Sequence, residues 1–268
     1  MENFTGELGA RFYAGLRYVG GMAYLLADTL SFIFIAPFSR RKLRLRGKPV
    51  FEQMVRVGFS SLGIVALVQF FIGIVIALQM ANILKKFGVA EYVGSVVGLG
   101  MFRELGPLMT AVVMAGYAGA AISAELGTMA VSEEIEALRA LAISPVRYLV
   151  VPRVIAAALM IPCVTMIGDF VGALGGMGIA WSVLKIAPAL FIQKMLETLT
   201  SSDVLIGIFK SCVFALLIAL IACFEGLNVD SGAEGVGKAA TRSVVYSIVM
   251  IIAADCLFTA LFHIILDS

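Results

Sequence analysis

Four ionisable side chains lie within or at the edge of long apolar stretches of the sequence: Arg103, Glu104, Lys210 and Asp255. A charge at the centre of a membrane helix costs roughly 2.5–3.5 kcal/mol, so charges that persist there are usually paired or line a wet cavity. Lys210 and Asp255 lie about 10 and 16 Å from the same end of their predicted helices, at 1.5 Å per residue. We expect a mutually compensating group, which either holds the helices together or gives polar support to a substrate.

Asp169 lies in the same half of a third apolar stretch and opens two other functional hypotheses. An ion-coupled secondary carrier could use Asp169, Glu104 and Asp255 as proton sites, and this alternative stays open. An intramembrane aspartyl protease would pair Asp169 with Asp255. However, the residues 166–169 read MIGD, which lacks the first glycine of G-x-G-D, and no Y-D partner is present.

A nucleotide-binding loop is suggested by GAEGVGK at 232–238, which matches G-x-x-x-x-G-K. The next residue is Ala239, so the hydroxyl that would bind magnesium is missing, and the segment joins two apolar stretches instead of a strand and a helix. The cysteines lie in apolar runs without metal-ligand or redox spacing: Cys163, Cys212, Cys223 and Cys256. We therefore predict no catalytic residue, no metal site and no cofactor on this chain.

The composition indicates the class of fold that must position these side chains. With 268 residues, 61% apolar and 14% charged, and a mean hydropathy of +1.02, the chain is predicted to be an all-α integral membrane protein. Five stretches are long enough to cross a hydrocarbon core of roughly 30 Å: 58–84, 104–127, 150–180, 203–225 and 242–266. We predict a five-helix domain at 58–268, and the net charge of +2 does not indicate nucleic-acid binding.

Residues 1–57 are predicted to form an N-terminal interfacial helix and a basic cytosolic loop, RRKLRLRGK at 40–48. Residues 18–37 are apolar enough to span, but a helical stripe favours a helix lying along the membrane: Leu8, Phe12, Leu16, Val19, Ala23, Leu26 and Leu30. Lys and Arg are concentrated on one side of the predicted helices, which should be cytosolic. The N-terminus should then be cytosolic and the C-terminus should lie on the opposite side.

Gly168, Gly172 and Gly176 recur every four residues on the third predicted span. Small residues let helices approach closely in lipid, where no hydrophobic effect drives their association. We therefore predict that these glycines form a helix-packing surface.

A short amphipathic segment, EEIEALRAL at 133–141, follows the second predicted span. Ser132 is a candidate N-cap, acidic residues in the first turn suit the helix dipole, and Ser144-Pro145 should end the helix. Such a helix is either an ordinary linker or the element by which a separate ATPase contacts a transporter. The residues assigned to this contact are Glu133, Glu134, Ile135, Ala137, Leu138, Arg139 and Leu141.

The run RELGPLMTAVVMAGYAGAAISAELGTMAVSEEIEALRALAISPVRYLVVPR at 103–153, together with GLNVDSGAEGVGKAATRSVV at 226–245, resembles the MlaE family of ABC transporter permeases. The resemblance extends from about residue 50 onward. It implies a homodimer in the inner membrane of a bacterium that also has an outer membrane. Such a permease moves phospholipid between the inner membrane and the periplasm.

The resemblance also implies a set of partners. ATP and magnesium would be bound by a cytosolic ABC ATPase, against which residues 133–141 would dock as the coupling helix, and 226–242 would be a lesser contact. A periplasmic MCE-domain protein would collect or deliver lipid, and a small cytosolic regulatory subunit is a further partner that the family allows. Lipid would occupy a cavity between the protomers, with Arg103, Glu104, Lys210 and Asp255 as its polar support.

Overall fold

The computed structural model describes residues 17–32, 47–229 and 232–266, and within these ranges the secondary structure is helical, with no strand. Residues 17–32 form α1. The later α-helices are α2 Gly47–Val57, α3 Leu62–Lys86, α4 Val93–Leu99, α5 Gly106–Met114, α6 Ala120–Val131, α7 Glu134–Ala140, α8 Val151–Ser182, α9 Pro188–Thr198, α10 Ser201–Leu227 and α11 Gly232–Leu266. Short 3-10 turns at Phe59–Ser61 and Ala90–Tyr92, and π-helical turns at Gly100–Leu105, Ala115–Gly119 and Val146–Val150, join several of them.

Five helical runs in the described residues are long and apolar enough to cross a membrane, which confirms the predicted fold class. They are Gly47–Lys86, Ala90–Val131, Val146–Ser182, Ser201–Leu227 and Gly232–Phe262. The predicted boundary after residue 57 falls inside the first run. The apparent nucleotide-binding motif forms the first turns of α11 and is therefore helical from Gly232 onward.

The second run begins at Ala90, well before the predicted start at residue 104. Arg103 and Glu104 consequently lie inside the helix, in the π-helical turn Gly100–Leu105, instead of opening it as predicted. The 3-10 turn Ala90–Tyr92 leads into α4, whose sequence is rich in glycine and valine and against which α9 packs. Gly94 allows the backbone at Phe191 of α9 to approach closely.

The two ends of the helix bundle can be distinguished by the short helices that they carry. We call them the α7 end and the α9 end. At the α9 end, α9 begins at Pro188 and buries Phe191 in an apolar cluster with Val93, Val97 and Met101. The α9 helix was not predicted from the sequence.

The three glycines of the predicted stripe lie where α8 packs against neighbouring helices. A Cβ at Gly168 would lie 2.9 Å from Cγ of Gln69 on α3, and one at Gly176 would lie 2.8 Å from Val97. A Cβ at Gly172 would lie 2.9 Å from the carbonyl oxygen of Gln69 and would also meet Met101. The close approach of α3 to α8 therefore depends on the absence of side chains here.

The α1 helix packs against α10 and α11 on one face. The ring of Tyr18 contacts the rings of Phe224 and Tyr246 edge-on, at centroid distances of 4.9 and 5.4 Å. Within the predicted stripe, Val19 and Leu30 are exposed, whereas Leu26 packs against the main apolar core beside the buried Leu25. The contact of this stripe with the membrane stays a prediction. Leu8, Phe12 and Leu16 lie outside the described residues.

Candidate functional site

A buried lysine joins three helices in the half of the bundle nearer the α9 end. Lys210 of α10 is fully buried, and its Nζ donates hydrogen bonds to Glu104 Oε2 at 2.6 Å, Asp255 Oδ1 at 3.0 Å and Thr259 Oγ1 at 2.9 Å. An ammonium group has three protons, so every donor of Lys210 is used. We call Lys210, Glu104, Asp255 and Thr259 the lysine cluster.

Thr259 was missed in the sequence because a threonine in an apolar run carries no charge to single it out. It follows Asp255 by four residues, and residues four apart share one face of a helix. That spacing is the signal that could have identified it. Its hydroxyl also lies 3.2 Å from Glu104 Oε2 and so completes the cluster.

Arg103 does not join the lysine cluster, although its neighbour Glu104 does. Its Nη1 pairs with Asp203 Oδ1 at 3.4 Å. The other oxygen, Asp203 Oδ2, accepts a hydrogen bond from the backbone N–H of Thr200 at 3.0 Å, completing a capping box at the start of α10. Arg103 therefore reaches the first turn of α10, whereas Glu104 reaches its interior.

Arg103 and Glu104 both lie in the π-helical turn Gly100–Leu105 and serve different partners. A π-helical turn inserts an extra residue into the ladder of backbone hydrogen bonds and is frequently found at functional sites. Consecutive residues of a helix point in directions roughly 100° apart, so two neighbours can reach different partners. The predicted residues are thus divided into a triad of Glu104, Lys210 and Asp255 and a separate pair of Arg103 with Asp203.

The carboxylates form the accessible side of the lysine cluster. The side chains of Glu104 and Asp255 are 33% and 16% exposed, whereas that of Lys210 is 0% exposed. With one ammonium and two carboxylates, the fully ionised cluster has a net charge of −1. Any polar group that reaches it from outside therefore meets carboxylate and hydroxyl oxygens first.

Asp169 lies apart from these pairs and has no counter-ion among the described residues. The residue is 1% exposed, its Oδ1 has no hydrogen-bond partner within the same ranges, and it lies against Gly106 at the start of α5. The structure thus places Asp169 in the interior of the bundle without the pairing that Glu104 and Asp255 have.

At the other end, α7 presents one apolar face to the bundle and leaves the rest exposed. Ile135 is buried, and Leu138 packs against the main apolar core. Leu141, immediately after the helix, is 71% exposed. The remaining side chains assigned to this contact are exposed: Glu133, Glu134, Ala137 and Arg139. Ile135 and Leu138 therefore hold α7 in place, and the other five are accessible to a partner.

Residues with left-handed backbone conformations flank α7 on both sides. Glu133 has φ 60° and Ala142 has φ 56°. After the helix, the N–H of Ala142 donates to Arg139 O and the N–H of Ile143 donates to Leu138 O, both at 2.9 Å. This is the Schellman pattern that ends helices, usually with glycine at the left-handed position.

The predicted N-cap is wrong. Ser132 terminates α6, with its Oγ donating to Thr128 O at 3.0 Å, and Glu133 precedes α7 instead. A hydroxyl four residues after a helical carbonyl can bond back to it, and this competes with capping the next helix. The result is a sharp turn between α6 and α7.

Two further groups of ion pairs, which the sequence analysis did not single out, lie towards the α7 end. Glu125 of α6 pairs with Arg56 at 2.8 Å and with Arg153 at 3.2 Å. Glu225 of α10 pairs with Arg242 of α11 at 3.1 Å. Both glutamates lie near the ends of apolar runs in the sequence, and this position could have identified them. Their arginine partners were used only to predict the orientation in the membrane.

The comparisons with known proteins agree with this architecture. The family model described as Permease MlaE matches residues 50–261. A probable ABC transporter permease protein of Rickettsia prowazekii is 38% identical over 231 residues, covering 86% of this chain and 89% of the relative. A probable ABC transporter permease protein of a Synechocystis strain is 41% identical over 212 residues, covering 79% and 81%.

A further relative is similar over almost its whole length. The intermembrane phospholipid transport system permease protein MlaE of Haemophilus influenzae is 31% identical over 264 residues, covering 97% of this chain and 98% of the relative. The matched region contains the five spans, the lysine cluster and α7. With five helical runs in its described residues that are long and apolar enough to cross a membrane, and with this match across most of its length, the chain belongs to the MlaE family of ABC transporter permeases.

Proposed function

We propose that this chain is the membrane subunit of an ATP-driven transporter that moves phospholipid between the bacterial inner membrane and the periplasm. The substrate is extended from the Haemophilus influenzae relative, whose name states intermembrane phospholipid transport. The chain itself carries out no covalent chemistry in this proposal. A separate ATPase binds ATP and magnesium.

The observation that carries the proposal is the geometry of α7. A short helix is held against the core by Ile135 and is bounded by two left-handed residues, with acidic side chains in its first turn and the exposed Leu141 at its C-terminal end. An exposed leucine on a well-anchored helix is typical of a protein contact site, because desolvated apolar anchors contribute most to binding. We assign this contact to the ATPase.

The orientation follows from this assignment. The α7 end is cytosolic, the α9 end faces the periplasm, the N-terminus is cytosolic and the C-terminus is periplasmic. Two copies of the chain form the transporter, with a lipid cavity between them that opens towards the periplasm. An MCE-domain protein exchanges lipid there, and a small regulatory subunit joins the ATPase on the cytosolic side.

The lysine cluster and Arg103 provide the polar support of this cavity. A lipid head group would meet two kinds of polar group here. The accessible carboxylate oxygens of Glu104 and Asp255 accept hydrogen bonds, and the 32% exposed side chain of Arg103 donates them. The buried lysine fixes the two carboxylates relative to each other. ATP binding would bring the two copies of α7 together and change the volume of the cavity.

The experiment is reconstitution of the chain with its ATPase and MCE partner in lipid vesicles, comparing Leu141→Asp with Leu196→Asp. Both leucines are strongly exposed, at 71% and 63%, but Leu196 lies on α9 at the other end. We expect Leu141→Asp to abolish ATPase binding and ATP-dependent lipid transfer, and Leu196→Asp to retain ATPase binding. Lipid transfer by Leu141→Asp at the unmodified rate would contradict the proposal.

A second candidate function, an ion-coupled carrier, is favoured by one observation, the unpaired and buried Asp169. Such a carrier would load a proton on this carboxylate and would need no ATPase. Transport that persists without ATP, requires a proton gradient and is lost in Asp169→Asn would establish it. Transport by Asp169→Asn at the unmodified rate would exclude this role for the residue.

A further inference from the structure

Glu125 of α6 lies between arginine side chains of two other helices. Its Oε2 is 2.8 Å from Nη1 of Arg56 on α2, and its Oε1 is 3.2 Å from Nη2 of Arg153 on α8. Each carboxylate oxygen thus serves a different helix. Charge-assisted pairs of this length are roughly twice as strong as neutral hydrogen bonds, so Glu125 connects α2, α6 and α8.

Glu125 is also mechanically linked to α7. It lies six residues before Val131, where α6 ends, about 9 Å along that helix at 1.5 Å per residue, and α7 begins at Glu134. The turn between the two helices is short and hydrogen-bonded, with Glu133 N donating to Ala130 O at 3.2 Å and Ala137 N donating to Glu133 O at 2.9 Å. A displacement of α7 will therefore move α6 and its carboxylate.

The two arginine side chains differ in how freely they can move when Glu125 is displaced. Arg153 is 6% exposed and also donates to Leu149 O at 2.7 Å, whereas Arg56 is 55% exposed. A cavity of about 230 Å³ lies beside the Arg56 pair, between α2 and α6, lined in part by Gln53, Tyr117 and Ala121. Arg56 and Glu125 thus have space to change their contact, while Arg153 is held.

We propose that Glu125 is a positioning residue that transmits movement of α7 to the first span. When α7 moves, Glu125 retains its ion pair with Arg153 and changes its contact with Arg56. Arg56 is on α2, which continues through the turn Phe59–Ser61 into the membrane-spanning α3. This inference rests on the proposed function, since it requires that α7 receives the movement of an ATPase.

The test uses the full complex reconstituted in lipid vesicles, with the rates of ATP hydrolysis and lipid transfer measured together. We expect Glu125→Gln to lower the lipid transferred per ATP by about tenfold, the effect of one lost interaction of 1.4 kcal/mol, while ATP hydrolysis continues. The matched control is Glu52→Gln. Glu52 lies 4.0 Å from Lys48 within α2, the helix that also carries Arg56, and both side chains are exposed, so its loss should leave the ratio unchanged.

The outcomes separate this inference from the proposed function. If the unmodified complex moves no lipid with ATP, the proposed function fails. If the unmodified complex works and Glu125→Gln has the same ratio, only the inference is overturned. An equal loss of both rates would show that Glu125 serves ATPase assembly, and would overturn it as well.

A second measurement guards against a variant that does not fold. Cysteines are introduced at Gln53 and Ala121, which both line the cavity, and treated with a short reducible cross-linker. The background carries Cys163→Ser and Cys256→Ser, because these two native cysteines are exposed. We expect the cross-link to stop lipid transfer but not ATP hydrolysis, and a reductant to restore transfer. Unchanged transfer by the cross-linked complex would show that the α2–α6 contact does not move.

Discussion

The two ends of this helix bundle hold their charges in different environments. In the half towards the α9 end, one fully buried lysine serves two carboxylates and a hydroxyl. Towards the α7 end, one carboxylate serves two arginines, one of which is half exposed. An ion pair in water contributes about 0–1 kcal/mol, whereas breaking a buried one costs several kcal/mol.

The difference indicates where the molecule can move. The lysine cluster cannot be rearranged without leaving the fully buried ammonium group of Lys210 unpaired, so it fixes the second, fourth and fifth spans against one another. The Arg56–Glu125 pair can be exchanged for water at little cost. Movement entering at α7 is therefore expected to change contacts at the α7 end and to leave the lysine cluster intact.

Removal of the buried cation should produce the largest effect. Lys210→Met leaves Glu104 and Asp255 facing each other without a counter-ion, and we expect a loss of about 3–5 kcal/mol in the free energy of unfolding. The measurement is the thermal unfolding of the purified protein in detergent. Lys238→Met, which breaks an exposed pair within one helix, should unfold at the unmodified temperature.

A compensating variant tests the electrostatic cause of this loss. Adding Glu104→Gln and Asp255→Asn to Lys210→Met removes the uncompensated charges, so most of the lost stability should return. If the triple variant were as unstable as Lys210→Met alone, the lysine would act through packing and the comparison between the two ends would lose its basis.

The two arginines that pair with Glu125 allow a buried and an exposed ion pair to be compared at a single carboxylate. Arg153→Gln breaks a buried, charge-assisted contact and should cost about 1.5–3 kcal/mol. Arg56→Gln removes the exposed partner and should cost less than about 1 kcal/mol. Unfolding temperatures of the two variants check the ranking, and equal losses would show that burial does not decide the strength of these pairs.

The close contact between α3 and α8 allows a test of whether helix packing, as well as the lysine cluster, stabilises the half of the bundle nearer the α9 end. A Cβ at Gly73 would meet backbone atoms of Gly172, which have no freedom to turn away. Gly73→Ala should therefore cost about 1–3 kcal/mol in stability. Gly63→Ala is the control, because nothing lies within 4 Å of a Cβ there, in the same helix. Equal unfolding temperatures for both variants would contradict the expectation.

Composition and residue spacing were sufficient to predict the five spans, α7 and the charges that form the lysine cluster. Apolar runs and intramembrane charges are strong signals because lipid makes both of them costly to misplace. The ion pair of Arg103 was not predicted because its partner, Asp203, lies on another helix, and residue spacing does not reveal contacts between helices. The α9 helix was missed although it carries a local start signal, Pro188 in its first turn.

The ends of α7 were mispredicted for a related reason. Ser132 has the right residue type for an N-cap, but its hydroxyl bonds back to α6 and the chain turns at Glu133 instead. Left-handed backbone at glutamate or alanine is unfavourable by roughly 1–2 kcal/mol, so propensity argues against it. Packing of Ile135 and Leu138 against the core compensates for that cost.

The smallest effect is expected where this strain can be removed without changing a contact. Ala142 has φ 56° and ends α7, a position at which glycine is ordinarily favoured. Ala142→Gly should raise the stability of α7 by up to about 1 kcal/mol, because glycine adopts this conformation without a steric penalty. Hydrogen exchange at the amides of residues 134–143 would report the change locally.

Ala140→Gly is the matched control, two residues earlier and within the helix. There, glycine should cost about 1 kcal/mol, so the two substitutions must shift amide exchange in opposite directions. If both accelerated exchange, the left-handed turn would not be strained, and the rigidity of α7 would come from its packed face alone. Slower exchange in Ala142→Gly with unchanged lipid transfer would show that the strain is held by packing and is not needed for coupling.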